Sequence, residues 1–301
     1  MAYKYVKYEK EGEIATITFN KPEKMNSYVI ISVGDDFKEV LDAITRAEED
    51  DQVKVIIFKG AGRCFSAGQD LSKVGFVYGF GTEKTDARPS QRIRLKMDRM
   101  GISDGYKRFF YCSKLTIAQV HGYALEAGLM IAMLCDFFIC SDDCMMGFPG
   151  QRIGFAGGGE HTFGHLMMTV GMRRALDLYI SGRQINGVEA ERIGLAGKSV
   201  PADQLDAEVK KLAKELCLMP RDGIRIGKAC RELFYDRMGL TDSFTYGYIT
   251  HTLFTNVKHE PGEFNFFRER REKGARAAFH EKDEIREQTT QKAARKTKKS
   301  K

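Results

Sequence analysis

Two segments of the chain share one pattern, in which a short apolar run leads through small residues into the start of a helix. Residues 53–58 lead to Cys64–Leu71, and residues 115–120 lead to His121–Gly128. Short apolar runs bounded by turn residues are typical of buried strands. At the start of a helix the first backbone N–H groups have no partner within the helix, so they can face an anion. The repeated pattern predicts an α/β fold of stacked strand, turn and helix units.

Strand and helix patterns alternate through the rest of the first 200 residues. Period-two alternation predicts strands, and apolar residues spaced three and four apart predict helices. The other expected elements are a strand over residues 13–19, a helix over 31–48, a helix from Leu129, a strand over Phe137–Cys140, and a helix closed by Gly194 before a strand that ends near Pro201.

The sequence predicts three regions, namely a core of ββα units over residues 1–201, a helical region over 202–287, and a disordered basic tail over 288–301. Within the core, residues 75–108 differ from the rest in composition. A loop rich in glycine and charge precedes a basic helix, which we predict over Gln91 to Arg108. This stretch is interpreted as either a solvated connector or a lid over the site.

Charge and cysteine content restrict the function classes. Six of the seven net positive charges come from the tail, so residues 1–291 are close to neutral. That tail lacks aromatic residues for base stacking, so nucleic acid is not an expected partner. The seven cysteines form no Cys-x-x-Cys pair, residues 1–10 lack a signal-peptide core, and no apolar run is long enough to span a bilayer. We therefore expect a cytoplasmic protein with no membrane association and no metal.

Over residues 5–285 the chain resembles the crotonase (enoyl-CoA hydratase/isomerase) superfamily. Four motifs in the expected order carry the resemblance: Ile17–Pro22 with Asn26, Val55–Gly68, Leu176–Pro201 and Phe266–Arg271. The resemblance implies a crotonase-like spiral of ββα repeats with a helical C-terminal trimerisation region. It also implies a homotrimer or homohexamer and an acyl-CoA substrate, with no cofactor beyond the coenzyme A moiety.

The resemblance also implies a set of site residues. The backbone N–H groups of Gln69 and Ala127 correspond to the two donors that hold the thioester oxygen. The substrate and coenzyme A site implied in this way includes Lys24, Ser27, Ser66, Ala67, Gly68, Asp70, Met130 and Gly150. Asp70 is expected to support the loop rather than to react.

The chain departs from the family pattern at the two positions where hydratases of this family carry glutamates. Those positions hold Met130 and Gly150 here, and neither side chain can take or give a proton. Hydration by a pair of carboxylates therefore lacks both its acid and its base.

Three other residues are candidates for proton transfer. Glu126 immediately precedes the donor Ala127, where it either acts as a relocated base or points away and bonds free N–H groups at the helix start. Glu160 and His161 follow a run of three glycines, where they could transfer protons. In the alternative interpretation Glu160 caps a helix, and His161 lies on one face of that helix together with His165.

The leading hypothesis is a crotonase-family lyase or isomerase that works through an oxyanion-stabilised thioester enolate. The sequence is compatible with hydration, double-bond isomerisation and hydrolytic carbon–carbon cleavage of a cyclic β-keto acyl-CoA. The alternative class is a non-catalytic protein that has kept the fold and binds RNA or another partner through its basic tail.

Overall fold

The computed structural model describes residues 3–31, 33–72, 90–150, 161–254 and 259–274, with short stretches at 277–278, 280–281 and 283–285. Its main element is a six-stranded sheet with strand order β1-β2-β3-β4-β6-β9. β1 and β2 are antiparallel, and the other neighbouring pairs are parallel. The strands are β1 Val6–Glu11, β2 Ile14–Phe19, β3 Val55–Gly60, β4 Leu115–Val120, β6 Phe137–Ser141 and β9 Lys198–Val200.

The central strands are covered on both faces, which explains their continuous apolar sequences. All six residues of β4 are buried. Alternate residues of β3 and β4 enter two separate apolar clusters: Ile56 and Ala118 lie in the larger one, and Val55 and Ile117 lie in the smaller one. The predicted α/β class is confirmed.

A second, three-stranded sheet brings the later segments beside the site. It has the order β5-β7-β8, in which β5 and β7 are parallel and β7 and β8 are antiparallel. The strands are β5 Tyr123–Leu125, β7 Met145–Gly147 and β8 Gln184–Asn186.

The helices before β9 are α1 Asp35–Glu49, α2 Gln91–Asp98, α3 Tyr106–Phe110, α4 Ala127–Met133, α5 His161–Val170, α6 Met172–Ser181 and α7 Gly187–Arg192. Helix α1 begins later than the predicted residue 31 because Val33 has a φ of +49°, outside the range of a right-handed helix. The helix predicted from Gln91 to Arg108 is interrupted by a π-helical stretch over Arg99–Gly105. The loop or lid predicted before it falls mostly on residues 73–89, outside the described residues.

Beyond β9 the described elements are helices: α8 Leu205–Cys217, α9 Arg221–Arg237, α10 Leu240–Phe254 and α11 Phe266–Lys273. Helix α9 is attached to the core by Lys228, whose Nζ lies 2.7 Å from Oδ2 of Asp136, with both side chains largely buried. Asp136 also accepts hydrogen bonds from N and Oγ1 of Thr116 in β4, at 2.9 and 3.0 Å. In the part of the chain that the structure describes, no helix is long and apolar enough to cross a membrane. The predicted region boundaries stay predictions, and the tail over 288–301 lies outside the described residues.

Candidate oxyanion site

The two segments singled out by the sequence run side by side. Ser66 N donates to the carbonyl oxygen of Tyr123 at 3.1 Å, and Leu125 N donates to the carbonyl oxygen of Ser66 at 3.0 Å. One segment leaves β3 and the other leaves β4, and these two strands are parallel neighbours in the sheet. Because the carboxyl ends of neighbouring parallel strands share one edge, the turns that follow them are brought together.

Gly68 and Ala127 are in close contact at the end of this ladder. A Cβ atom placed on Gly68 would lie 2.8 Å from the backbone nitrogen of Ala127 and 2.7 Å from the carbonyl oxygen of Leu125. Both distances are shorter than real Cβ contacts, and the φ of Gly68 is +86°. Only glycine allows the two backbones to approach this closely.

The amides of Gln69 and Ala127 remain available at this contact. Tyr28 N donates to the carbonyl oxygen of Gly68 at 2.9 Å, and Asp70 N donates to that of Tyr28 at 2.8 Å, so Gln69 N–H faces away from Tyr28. Ala127 is the first residue of α4, where an amide has no acceptor within its own helix. Within the described ranges neither amide donates a hydrogen bond.

Glu126 has an unusual backbone conformation directly before Ala127. Its φ of +49° and ψ of −123° fall in a region that favours glycine. For a residue with a side chain, this backbone conformation lowers the stability of the folded state by about 1–3 kcal/mol. It persists only where neighbouring contacts hold the backbone in place. Here Glu126 N donates to the carbonyl oxygen of Gly147 at 3.0 Å, and Met130 N donates to that of Glu126 at 2.9 Å.

The carboxylate of Glu126 lies against Gly150. Gly150 N donates a short hydrogen bond to Oε1 of Glu126. A Cβ atom placed on Gly150 would lie 2.8 Å from that same Oε1 and 3.0 Å from Cδ. The carboxylate therefore occupies the space that a side chain at position 150 would need. The side chain of Glu126 makes no capping hydrogen bond at the start of α4.

Asp70 is held by two neighbours. Lys24 Nζ lies 3.1 Å from Oδ2, and Ser72 donates to Oδ1 from its backbone N at 3.0 Å and from Oγ. Burial alone raises the pKa of this carboxyl, but the hydrogen bonds from Ser72 and Lys24 outweigh it and leave the pKa below its usual value. These contacts tie Asp70 to Lys24 and Ser72, and its role of supporting the loop stays a prediction.

The remaining polar residues of the predicted coenzyme A site join residues 24–27 to residues 66–68. Ser66 Oγ donates to the carbonyl oxygen of Asn26 at 2.7 Å and accepts from Gly68 N at 3.0 Å. Ala67 N donates to the carbonyl oxygen of Met25 at 2.9 Å. Ser27 Oγ donates to the carbonyl oxygen of Lys24 at 2.9 Å. These bonds fix the backbone of both segments relative to each other, while the side chain of Lys24 stays about half exposed.

The other candidates contribute less to the described geometry. Met130 is buried in α4 within the larger apolar cluster. Glu160 lies outside the described residues, and His161 is described only as the first residue of α5. His165, one turn further along α5, is buried with its ring 4.9 Å from that of Phe110. No group of three or more His, Cys, Asp or Glu side chains in the described part of the chain is placed to hold a metal ion.

Sequence reasoning missed the role of the Gln69 side chain. Its Oε1 accepts hydrogen bonds from Ile30 N at 3.0 Å and Ile31 N at 3.2 Å. The backbone of residues 30 and 31 in turn packs against Gly101 of the π-helical stretch. The sequence signal for this anchoring is weak, since it consists of one amide side chain between Gly68 and Asp70.

The architecture is that of the crotonase fold, and comparison with known proteins agrees. The family model for enoyl-CoA hydratase/isomerase matches residues 9–274. EchA13 of Mycobacterium tuberculosis, provisionally named an enoyl-CoA hydratase, is 31% identical over 79% of this chain and 77% of its own length. The solved structure of an enoyl-CoA hydratase from Mycobacterium smegmatis superposes with a TM-score of 0.79, at 27% identity and 94% coverage of both chains. An enoyl-CoA hydratase/isomerase from Xanthobacter autotrophicus gives the same TM-score at 25% identity, covering 94% of this chain and 99% of its own.

The chain therefore belongs to the enoyl-CoA hydratase/isomerase family. The predicted resemblance is confirmed, and so is the predicted fold class. The individual site residues stay predictions.

Proposed function

We propose that this protein is an acyl-CoA enzyme in which the N–H groups of Gln69 and Ala127 hold a thioester oxygen while Glu126 moves a proton. The close approach of Gly68 to Ala127 is the observation that carries this proposal. It brings the residues that follow two different strands together, with two uncommitted amides at the junction.

These amides suit a developing enolate. Removal of a proton beside a thioester carbonyl moves negative charge onto the carbonyl oxygen. N–H groups already fixed toward that position stabilise the charge without reorganising, and loss of one such donor typically lowers kcat by about 10²–10³. Both amides belong to backbone held by neighbouring hydrogen bonds, so they meet this requirement.

Glu126 is the proton carrier in this proposal. Its carboxylate occupies the space beside Gly150, so an acid–base group is present although Met130 and Gly150 supply none. A single carboxylate is enough for double-bond isomerisation. It removes a proton from one carbon of an enoyl thioester and returns the same proton two carbons away. We therefore favour isomerisation over hydration.

Hydrolytic carbon–carbon cleavage of a cyclic β-keto acyl-CoA is the second candidate. Glu126 would take a proton from water, and the resulting hydroxide would add to the β-keto carbon. The bond between the α- and β-carbons would then break, leaving a carboxyl group at the former keto carbon and a thioester enolate, to whose α-carbon Glu126 would return the proton. The same single carboxylate and the same two amides serve this reaction.

We also propose that the protein assembles as a homotrimer or homohexamer in the cytoplasm. The C-terminal helical region carries large apolar side chains that are more than half exposed. A cluster of such side chains is unusual on a surface that makes no contact with another subunit. They are Ile226, Leu233, Phe234, Met238 and Leu253. All seven cysteines are free thiols, which suits a reducing compartment.

The experiment compares wild type with Glu126→Gln on a panel of saturated, enoyl, dienoyl and cyclic β-keto CoA thioesters. Products are followed by mass and identified by NMR. Glutamine keeps an oxygen that can accept from Gly150 N but cannot carry the proton, so we expect kcat to fall about 10²–10⁴-fold with the Kd for CoA thioesters nearly unchanged.

Glu49→Gln, on the exposed face of α1, is the matched control and should retain full activity. Full activity of Glu126→Gln would rule out its assigned role. If wild type binds no CoA thioester at all, the proposed function itself is wrong.

A further inference from the structure

The Gln69 side chain binds the first donor segment to a turn near the start of the chain. Its Oε1 accepts hydrogen bonds from Ile30 N at 3.0 Å and from Ile31 N at 3.2 Å. Both isoleucines are buried, so water does not compete for these two bonds. One side-chain oxygen therefore holds two consecutive backbone N–H groups of the turn.

The backbone on either side of Gln69 is bonded to the same part of the chain. Tyr28 N donates to the carbonyl oxygen of Gly68 at 2.9 Å, and Asp70 N donates to that of Tyr28 at 2.8 Å. In a parallel bridge of this kind the N–H of the middle residue points to the other side. The side-chain bonds and the backbone bonds thus join residues 68–70 to residues 28–31, while the Gln69 N–H faces away from Tyr28.

The turn that receives the Gln69 side chain has a fixed backbone. Val33 N donates to the carbonyl oxygen of Ile30 at 2.9 Å, Gly34 N donates to that of Val29 at 2.7 Å, and Val29 N donates to Oδ1 of Asp36 at 3.2 Å. Val33 has a φ of +49°, which a β-branched residue rarely adopts. Such a conformation persists only where the surrounding contacts hold it.

The carbonyl groups of the same two isoleucines lie against Gly101 in the π-helical stretch. A Cβ atom placed on Gly101 would lie 2.2 Å from the carbonyl oxygen of Ile30 and 2.6 Å from that of Ile31. The residue before this stretch, Asp98, is fully buried and accepts a hydrogen bond from Oγ1 of Thr252 in α10 at 2.6 Å. The backbone of residues 30 and 31 is therefore confined by Gly101 as well as by Gln69.

We propose that the Gln69 side chain is a positioning group, which holds the backbone N–H of its own residue in place for the thioester oxygen. This inference rests on the proposed function. Without Oε1, the donor segment would lose its attachment to residues 30 and 31 and would be held there by the two Tyr28 bonds alone. A displacement of about 1 Å at a reacting centre can lower the rate about 10²-fold. The side chain acts in this way without touching the substrate.

The test uses butyryl-CoA labelled with ¹³C at the thioester carbonyl, bound to the full-length protein. A saturated acyl group has no double bond to move and no keto group to attack, so the ligand stays intact. Hydrogen bonds to a carbonyl oxygen weaken the C=O bond, so isotope-edited infrared difference spectra report on the two donor amides. In wild type we expect the carbonyl band of the bound ligand to lie at lower frequency than that of the free ligand.

Two variants at position 69 examine the acceptor. Gln69→Met removes it in a side chain of similar length, so most of the band shift should be lost while the Kd for butyryl-CoA stays nearly unchanged. Gln69→Glu keeps an oxygen for Ile30 N and Ile31 N and should keep the shift. With the thioester that wild type converts, kcat should fall about 10²-fold with Met and much less with Glu.

Asn186→Ala is the matched control. Asn186 Oδ1 also accepts from a backbone N–H, that of Glu189 at 2.9 Å, where it caps the start of α7. Loss of this cap should lower stability in urea unfolding. The band shift should stay at its wild-type value, because the lost bond holds a different segment.

A band shift that survives in Gln69→Met would overturn the inference. Equal loss of the shift in both Gln69 variants would do the same, and so would its loss in Asn186→Ala. In each of these cases the shifted band of wild type would leave the proposed function intact. If wild type binds no butyryl-CoA, or binds it without a band shift, the proposed function itself is wrong, so the two failures are distinguishable.

Discussion

Gly68→Ala tests the contact on which the site depends. The new methyl group would lie 2.7 Å from the carbonyl oxygen of Leu125 and 2.8 Å from the nitrogen of Ala127. Both atoms are backbone, so neither can turn aside as a flexible side chain would. The two segments must separate, and one donor must leave its position.

The magnitude has two parts. Alanine at the φ of +86° is strained by about 1–2 kcal/mol, which lowers the free energy of unfolding. Displacing one oxyanion donor raises the activation barrier by about 2.7–4 kcal/mol, which corresponds to a fall in kcat of about 10²–10³. The variant should therefore remain folded, bind CoA thioesters and lose most of its activity.

Gly12→Ala is the matched control. Gly12 has a φ of +59°, and a Cβ placed there meets nothing within 4 Å. It should show a similar loss of stability in urea unfolding, with unchanged kcat. If Gly68→Ala keeps wild-type kcat, or if Gly12→Ala loses activity as strongly, the assignment of the two amides is refuted.

Two further predictions concern the neighbouring carboxylates. Gly150→Ala would place a methyl group 2.8 Å from Oε1 of Glu126 and displace that carboxylate, so steady-state assays should show kcat falling about 10- to 100-fold, and an unchanged kcat would count against the proton carrier. The lowered pKa of Asp70 contributes stability that is fully present above its unfolded pKa of about 4 and is lost as pH falls through the folded value. Asp70→Asn should therefore flatten the acid limb of the curve of unfolding free energy against pH, and an unaltered acid limb would contradict the assigned contacts.

Local sequence patterns predicted the strands that lead into the two segments of the site. Strand β4 was predicted over Leu115 to Val120 with the bounds that the structure shows, because a strand buried on both faces is apolar along its whole length. The meeting of residues 64–71 with residues 121–128 was implied by the resemblance to the family, and the structure brings them together because each segment follows a strand of one parallel sheet. Resemblance to the family added the identity of the two donor amides.

Contacts between distant residues were beyond the sequence patterns. The place of the Glu126 carboxylate depends on Gly150, which lies 24 residues further along the chain and lacks the side chain that would fill the same space. The anchoring of Gln69 by Ile30 and Ile31 likewise depends on a bridge between Tyr28 and Gln69 that no local pattern reveals. The late start of α1 depends on the backbone conformation of Val33, and β-branched residues rarely adopt it.

The buried pair of Lys228 and Asp136 decides whether the two large regions of the chain can exist apart. The last strand ends at Val200, which makes that point an inviting place to divide the molecule. A fragment cut there would keep Asp136 and its hydrogen bonds from Thr116 but lose the ammonium group and the helix that carries it. In the intact chain, loss of the ammonium group alone from so buried a pair costs about 3–5 kcal/mol, a large share of the 5–15 kcal/mol that typically separates a folded domain from its unfolded chain. This ion pair therefore couples the stability of the sheet to that of the helices that follow it.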